Sequence, residues 1–143
     1  MKLLDANVLL YAYDASSPRN EDASSWFSRI LSGTETVAFS WLVIIAFLRL
    51  STQASVFVDP LTIDEALDLV DAWLDQPNAM IIHPTQRHSE VLRGLLAPFG
   101  SAGNLTSDAH LAALAIEHGA ELCSCDRDFG RFPGVRWRDP LSV

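Results

Sequence analysis

The sequence predicts an α/β fold built on a parallel sheet, and three observations predict it. Short apolar runs recur along the chain with helical patterns between them, which is the signature of strand–helix alternation. The run Ala79–Ile82 is continuously apolar rather than alternating, as expected of a strand covered on both faces. The chain has 143 residues, 49% of them hydrophobic and 20% charged, which suits one domain with a real core and excludes disorder. No internal repeat, low-complexity tract or Gly-, Pro- or Ser-rich linker divides it, so residues 1–143 read as a single domain.

The elements follow in order. Lys2–Leu4 is a short strand that runs into Asp5, and a short helix over Asn7–Tyr13 starts directly after it. Asp22–Leu31 is amphipathic, with Trp26, Phe27, Ile30 and Leu31 inward, and Gly33 stops it. Thr36–Phe39 is a second strand, and Ser40 caps the very apolar helix Trp41–Ser51. Thr62-x-x-Glu65 is a capping box that opens a helix to Asp75, ahead of Pro77. On it, Asp64, Asp68, Asp71 and Asp75 form an exposed stripe, with Leu67, Val70 and Leu74 as the buried face. Ala79–Ile82 is the third strand, followed by a helix over Thr85–Leu96 that Pro98 and Gly100 end. Thr106 or Ser107 caps a helix to His118, which Gly119 closes. Glu121–Ser124 is a strand running into Asp126, and Val135–Arg138 is a last strand, with Trp137 inward and Arg136 and Arg138 solvated.

Charge excludes several chemistries. There are 18 acids against 10 bases, a formal net charge of −8, which opposes a purely electrostatic nucleic-acid binder. The bases are one lysine, Lys2, and nine arginines, so no internal lysine is present for a P-loop NTPase, a Schiff-base enzyme or a Ser-Lys hydrolase. The longest apolar run, Trp41–Leu48, is eight residues. A membrane span takes about 20, so none is expected and the protein reads as cytoplasmic. Cys123 and Cys125 are one residue apart, too constrained for an ordinary disulfide, and read as buried, reduced thiols.

Parallel sheets place ligands at the carboxyl ends of their strands, and two aspartates, Asp5 and Asp126, sit at such ends. Asp108 falls in the first turn of the helix that precedes Asp126, and Asp128 lies two residues beyond it. Clustered carboxylates repel one another unless a cation joins them. Hard oxygen ligands suit Mg²⁺ or Mn²⁺, and such an ion activates water and offsets phosphoryl charge. Taken singly, Asp108 reads as a first-turn acid serving the helix dipole, and Asp126 and Asp128 read as turn formers. Asp5, flanked by Leu4 and Val8, is costly without a partner.

Three segments in order, Asp5-Ala6-Asn7-Val8-Leu9-Leu10, Thr106-Ser107-Asp108-Ala109-His110-Leu111-Ala112 and Cys125-Asp126-Arg127-Asp128-Phe129, resemble the motifs of PIN-domain ribonucleases, and most closely the VapC toxins of VapBC toxin–antitoxin modules. The likeness covers nearly the whole chain. It implies a three-layer α/β/α fold with a central parallel sheet of four or five strands, and a metal-dependent endoribonuclease of cytoplasmic location. By motif match it places Mg²⁺, with Mn²⁺ as a substitute, on Asp5 and Asp108. Asp126 completes the acidic site directly or through water, with Asp128 a second candidate there. Asn7 and Ser107 match small polar positions that support those carboxylates. One departure is plain: many PIN domains carry a Glu on the helix after the second strand, where this chain has Ala46 in Ile44-Ile45-Ala46-Phe47-Leu48-Arg49.

The resemblance implies hydrolysis of an RNA phosphodiester by metal-activated water, leaving 5′-phosphate and 3′-hydroxyl ends, with no histidine required. His110 and His118, eight residues apart, read as surface or helix-end residues, and His83 and His88 have no motif context. RNA contact falls to Arg49, one helical turn from Ala46, and to Arg127 and Arg131 beside Asp126. The implied partner is a small cognate antitoxin. Trp41, Leu42, Phe47 and Leu48 are more apolar than one helix face needs, and serve that contact, a homodimer or the core. Two rivals remain: a catalytically degenerate PIN fold that only binds, with Ala46 as the sign, and another Mg²⁺-dependent phosphohydrolase, which the missing internal lysine opposes. Setting aside the four site acids and the five of residues 64–75 leaves nine acids against ten bases. The acidity then measures a metal site and one remote helix, and no longer opposes an RNA substrate.

Overall fold

A computed structural model of the chain describes residues 1–142. Five strands, β1 (Lys2–Leu4), β2 (Val37–Phe39), β3 (Ala79–Ile81), β4 (Glu121–Cys123) and β5 (Arg136–Arg138), form one sheet in the order β3-β2-β1-β4-β5. Every pairing is parallel, with Leu3 opposite Ala38 on one side and Leu122 on the other. Six helices surround it: α1 (Ala6–Tyr13), α2 (Asn20–Leu31), α3 (Trp41–Ser51), α4 (Ile63–Leu74), α5 (His88–Leu96) and α6 (Leu105–His118). This is the expected three-layer α/β/α architecture, at the upper of the two expected strand counts.

Topology fixes where a site can form. From β1 through β2 to β3 the chain steps outward in one direction, and β4 then returns to the other side of β1. Right-handed crossovers put α1–α4 on one face and α5 and α6 on the other. The order reverses between β1 and β4, so a crevice opens at their carboxyl ends. Asp5 and Asp126 lie at that crevice.

The core explains the order of the elements. On the α1–α4 face, Trp73 is buried at the centre of Tyr13, Phe27, Phe39 and Phe47. Its Nε1–H donates to the Tyr13 hydroxyl at 2.8 Å, so the one polar atom of the ring is satisfied. On the other face α6 presents Ala109, Ala112, Ala113 and Ala115, whose small side chains let the helix lie close to the sheet. Three helix boundaries are sharp for local reasons: Ser40 Oγ accepts from Val43 N–H, the Thr62–Glu65 capping box is formed in both directions, and Gly119 takes the left-handed conformation at φ 65°.

Several expectations need correction. The buried face of α4 is Ala66, Val70 and Trp73, while Leu67 is exposed, because the helix turns Trp73 rather than Leu67 toward the aromatic cluster. Its acidic stripe is exposed as expected. Helix α6 begins one residue before Thr106 with Asn104 at its cap, and no side chain caps it; Thr106 Oγ donates back to Gly103 O instead. Thr85–Arg87 form a turn ahead of α5 rather than its first residues, since Thr85 is drawn to a carboxylate on α6. Cys123 is buried in β4, but Cys125 lies past the strand end and is only half-buried; both are free thiols. The alternatives left open for α3 divide rather than fail: Phe47 belongs to the core, while Trp41 and Leu42 are exposed. Among the described residues no helix is long and apolar enough to cross a membrane.

Candidate active site

The site begins with how β1 ends. Asp5 N–H donates to Cys123 O at 3.0 Å, so parallel pairing with β4 continues one residue past the strand and holds Asp5 on the seam between them. The residue then acts as N-cap of α1, its Oδ1 accepting from Ala6 N–H at 2.7 Å. Its Oδ2 accepts from the Ser124 hydroxyl at 2.7 Å.

Ser124 is fully buried, and it is the residue that sequence reasoning missed. Its Oγ donates to Asp5 and accepts from Asp126 N–H at 3.0 Å and Asn7 Nδ2 at 3.1 Å, which uses its whole hydrogen-bonding capacity. Asn7 returns to the same turn, its Oδ1 accepting from Cys125 N–H at 3.2 Å. The β1–α1 and post-β4 turns are thus laced together, and Trp137 Nε1–H fastens the second by donating to Ser124 O at 2.9 Å. A hydroxyl in an apolar strand end, two residues before an aspartate, was the available signal.

Asp126 stands at the head of a short 3₁₀ turn, Arg127–Arg131, where its Oδ1 accepts from Asp128 N–H at 2.9 Å. Asp108 comes from the opposite direction, in the first turn of α6. Carboxylate oxygens of Asp108, Asp126 and Asp128 lie within 4.8 Å of one another. Asp5 is deeper and not within that triplet, yet its charge reaches Asp108, as do those of Asp126 and Asp128. Burial first, then those three neighbours, push the Asp108 carboxyl up to about 6. Burial likewise raises Asp5, against the pull of its Ser124 and Ala6 hydrogen bonds.

A cleft of about 170 Å³ opens beside these acids, lined by Asp5, Ala46, Arg49, Ser107, Asp108 and Leu111 among others. Ala46 therefore faces the site, and Arg49 stands one turn along α3 as expected. Ser107 is on the rim but makes no side-chain bond to the acids. Arg127 is exposed next to Asp126, whereas Arg131 lies with its guanidinium 4.9 Å from the Phe99 ring centre and 3.9 Å from Asp128. His88 and His110 pair with each other, a contact that their spacing in sequence gave no sign of.

This arrangement can hold a cation. Three carboxylates face one space, burial and the neighbouring acids drive Asp108 toward its neutral form, and Asp5 Oδ1, which accepts only from Ala6 N–H, retains a lone pair. Oxygen-only donors of this kind suit a hard divalent ion.

The PIN domain family matches residues 2–135. Ribonuclease VapC37 of Mycobacterium tuberculosis is 46% identical over 143 residues, covering 100% of this chain and 99% of that protein. The chain belongs to the PIN-domain family, in its VapC ribonuclease branch. Ribonuclease VapC33 of the same organism is 38% identical over 141 residues, 99% of each chain. Among solved PIN structures, VapBC2 from Rickettsia felis bound to a DNA fragment of its promoter superposes with a TM-score of 0.70 at 17% identity, over 96% of each chain. Mycobacterium tuberculosis VapC20, a toxin that cleaves the sarcin–ricin loop, superposes at 0.66 and 16% identity, over 97% of this chain and 100% of that one. The PIN fold at this distance is shared without much shared sequence.

Proposed function

We propose that the chain, as one PIN domain over residues 1–143, is the toxin of a type II toxin–antitoxin module and a metal-dependent endoribonuclease. The observation that carries this is the meeting of Asp5, Asp108, Asp126 and Asp128 at the crevice where β1 and β4 diverge. The full-length relatives named as ribonucleases support it.

Asp5 and Asp108 would hold Mg²⁺, or Mn²⁺ in its place, with Asp126 completing the site directly or through water and Asp128 a second candidate beside it, a reading that the closeness of Asp108, Asp126 and Asp128 supports. Bound there, the ion supplies a Lewis acid that offsets phosphoryl charge and brings the pKa of water into reach. The protein's own residues do the rest. Ser124 and Asn7 hold the Asp5 carboxylate and the Asp126 turn in fixed relation, and Trp137 anchors that turn. Arg49 offers a fixed positive charge across the cleft from Asp108, suited to a backbone phosphate. Arg127 extends that charge along the rim, and Arg131 joins it once it leaves Asp128. The replacement of the usual Glu by Ala46 leaves one acid fewer, which would favour a single ion with a position left for a substrate oxygen.

An antitoxin partner is supported by the neighbours that are VapBC complexes. The exposed face of α3, with Trp41, Leu42 and Ile45, borders the cleft and offers apolar surface for a homodimer or for that partner. RNA as substrate places the work in the cytoplasm. The test is incubation of the purified chain with total RNA and Mg²⁺ or Mn²⁺, beside EDTA and Asp5→Ala controls. Cleavage that needs both the ion and Asp5 is expected. Cleavage that survives either control overturns the assignment, and no cleavage of any RNA points to a binding module.

A further inference from the structure

His88, His110 and Glu117 form a cluster between α5 and α6 that RNA cleavage does not use. Glu117, one helical face along α6 from His110, has a side chain with no solvent exposure. Its Oε1 accepts from Thr85 N–H at 2.8 Å and from the Thr85 hydroxyl, and its Oε2 takes His88 Nδ1–H at 2.5 Å. A carboxylate with three donors stays ionised, so His88 carries a proton on Nδ1, and in its neutral ring the Nε2 then offers a lone pair. That Nε2 faces His110 Nδ1 at 2.9 Å, the two rings crossing at 73°.

Two features set this apart from an incidental contact. A buried carboxylate that fixes the tautomer and aim of an imidazole is the usual support behind a metal-bound histidine. The spacing also fits: with metal–nitrogen bonds of about 2.0–2.1 Å, two imidazoles on one ion sit about 2.9–3.4 Å apart for ligand angles from square to tetrahedral. An ion held by both nitrogens would sit off the line between them, so binding would displace the shared proton, open the pair by a few tenths of an ångström at most and turn the two rings toward the ion.

We propose that His88 Nε2 and His110 Nδ1 form a second metal site, for an imidazole-preferring divalent ion such as Zn²⁺ or Cu²⁺, with Glu117 orienting His88 and water filling the remaining positions. The site is chemically distinct from the carboxylate cluster, since nitrogen donors select the later transition metals and carboxylates select Mg²⁺ or Mn²⁺. His88 keeps 16% of its side chain exposed, which gives the ion a way in. An ion there would tie the start of α5 to the middle of α6. The proposal is independent of the ribonuclease reading.

The test is electron paramagnetic resonance of the full chain, stripped of metal, with one equivalent of Cu²⁺. Superhyperfine splitting from two imidazole nitrogens is expected. Excess Zn²⁺ should remove it and excess Mg²⁺ should not. His88→Gln with His110→Gln should abolish the signal, while His83→Gln with His118→Gln should leave it. Should the first pair loosen the fold, Cu²⁺ broadening of wild-type amide resonances serves in its place, and should centre on residues 85–88 and 110–117. Oxygen-only coordination, splitting that survives the first pair, broadening centred on Asp126, or no saturable binding would each overturn the proposal.

Discussion

At the residue scale the site rests on Ser124 and Asp108. Ser124→Ala leaves Asp126 N–H without its partner and Asp5 Oδ2 with only the long Asn7 contact, around a fully buried position. Such a loss costs about 1–3 kcal/mol, which urea denaturation should show, and loss of a supporting hydrogen bond lowers metal affinity or activity about 10- to 100-fold. Asp108 makes a pH prediction. Its carboxyl titrates near 6 in the folded chain against an ordinary 3.8, so the folded state binds more protons between those values. The Asp108 contribution to the stability of the metal-free protein should therefore fall as pH rises from about 4 to about 6, opposite in sign to that of Glu35 and Glu121, whose carboxyls are held below their usual range. Thermal melts across that window should show Asp108→Asn gaining stability relative to the wild type as pH rises, and millimolar Mg²⁺ should narrow the difference. The four acids were legible in the sequence because each ends a strand or opens a helix. Ser124 was not, because its role depends on β1 and β4 being neighbours, which no local pattern states. The same holds for His88 and His110, which meet only because α5 and α6 share a face of the sheet.

At the element scale α3 is the most informative helix. Its limits, Trp41 to Ser51, were legible because Ser40 is a strong cap ahead of an apolar run. Ser40→Ala should cost about 1 kcal/mol through the loss of its bond to Val43 N–H, measurable by denaturant titration. What the run buries was less legible. The run is too apolar for one face, and the sequence alone left its surplus to a partner, a homodimer or the core; Phe47 is buried, while Trp41, Leu42 and Ile45 face outward beside the cleft. Helix α4 carries the converse lesson. Its acidic stripe fixed the exposed side, but several hydrophobic residues competed for the other, and the large Trp73 ring won the place among Tyr13, Phe27, Phe39 and Phe47 over Leu67. Trp73→Ala should cost about 3–5 kcal/mol by emptying that cluster. Ala46, one turn before Arg49, lines the cleft beside Asp5. Ala46→Glu should destabilise the metal-free chain by adding a fifth acid to a crowded site, and should tighten Mn²⁺ binding measured by calorimetry.

At the scale of the whole molecule, the sheet order β3-β2-β1-β4-β5 explains why acids so distant in sequence share one crevice. The net charge of −8 belongs to the same picture. Part of it lies at the crevice, where burial and the neighbouring carboxylates raise Asp108, and part lies on the exposed stripe of α4, away from the cleft-lining residues. The α/β class and the strand ends were legible from alternation, because strand and helix periods differ. The five-strand count was less so, since β5 is short, exposed at both arginines and tied to β4 by a connection that holds only the short 3₁₀ turn Arg127–Arg131. The central claim is that the crowded carboxylates are a metal site for RNA cleavage. Its most direct test is single-turnover cleavage of a structured RNA as Mg²⁺ is raised, comparing the wild type with a folded Asp126→Asn variant. The account predicts a rate that saturates with Mg²⁺ in the wild type, is absent in EDTA, and drops to background in the variant at every Mg²⁺ concentration. Equal cleavage by the two proteins, or a rate indifferent to Mg²⁺, would contradict it.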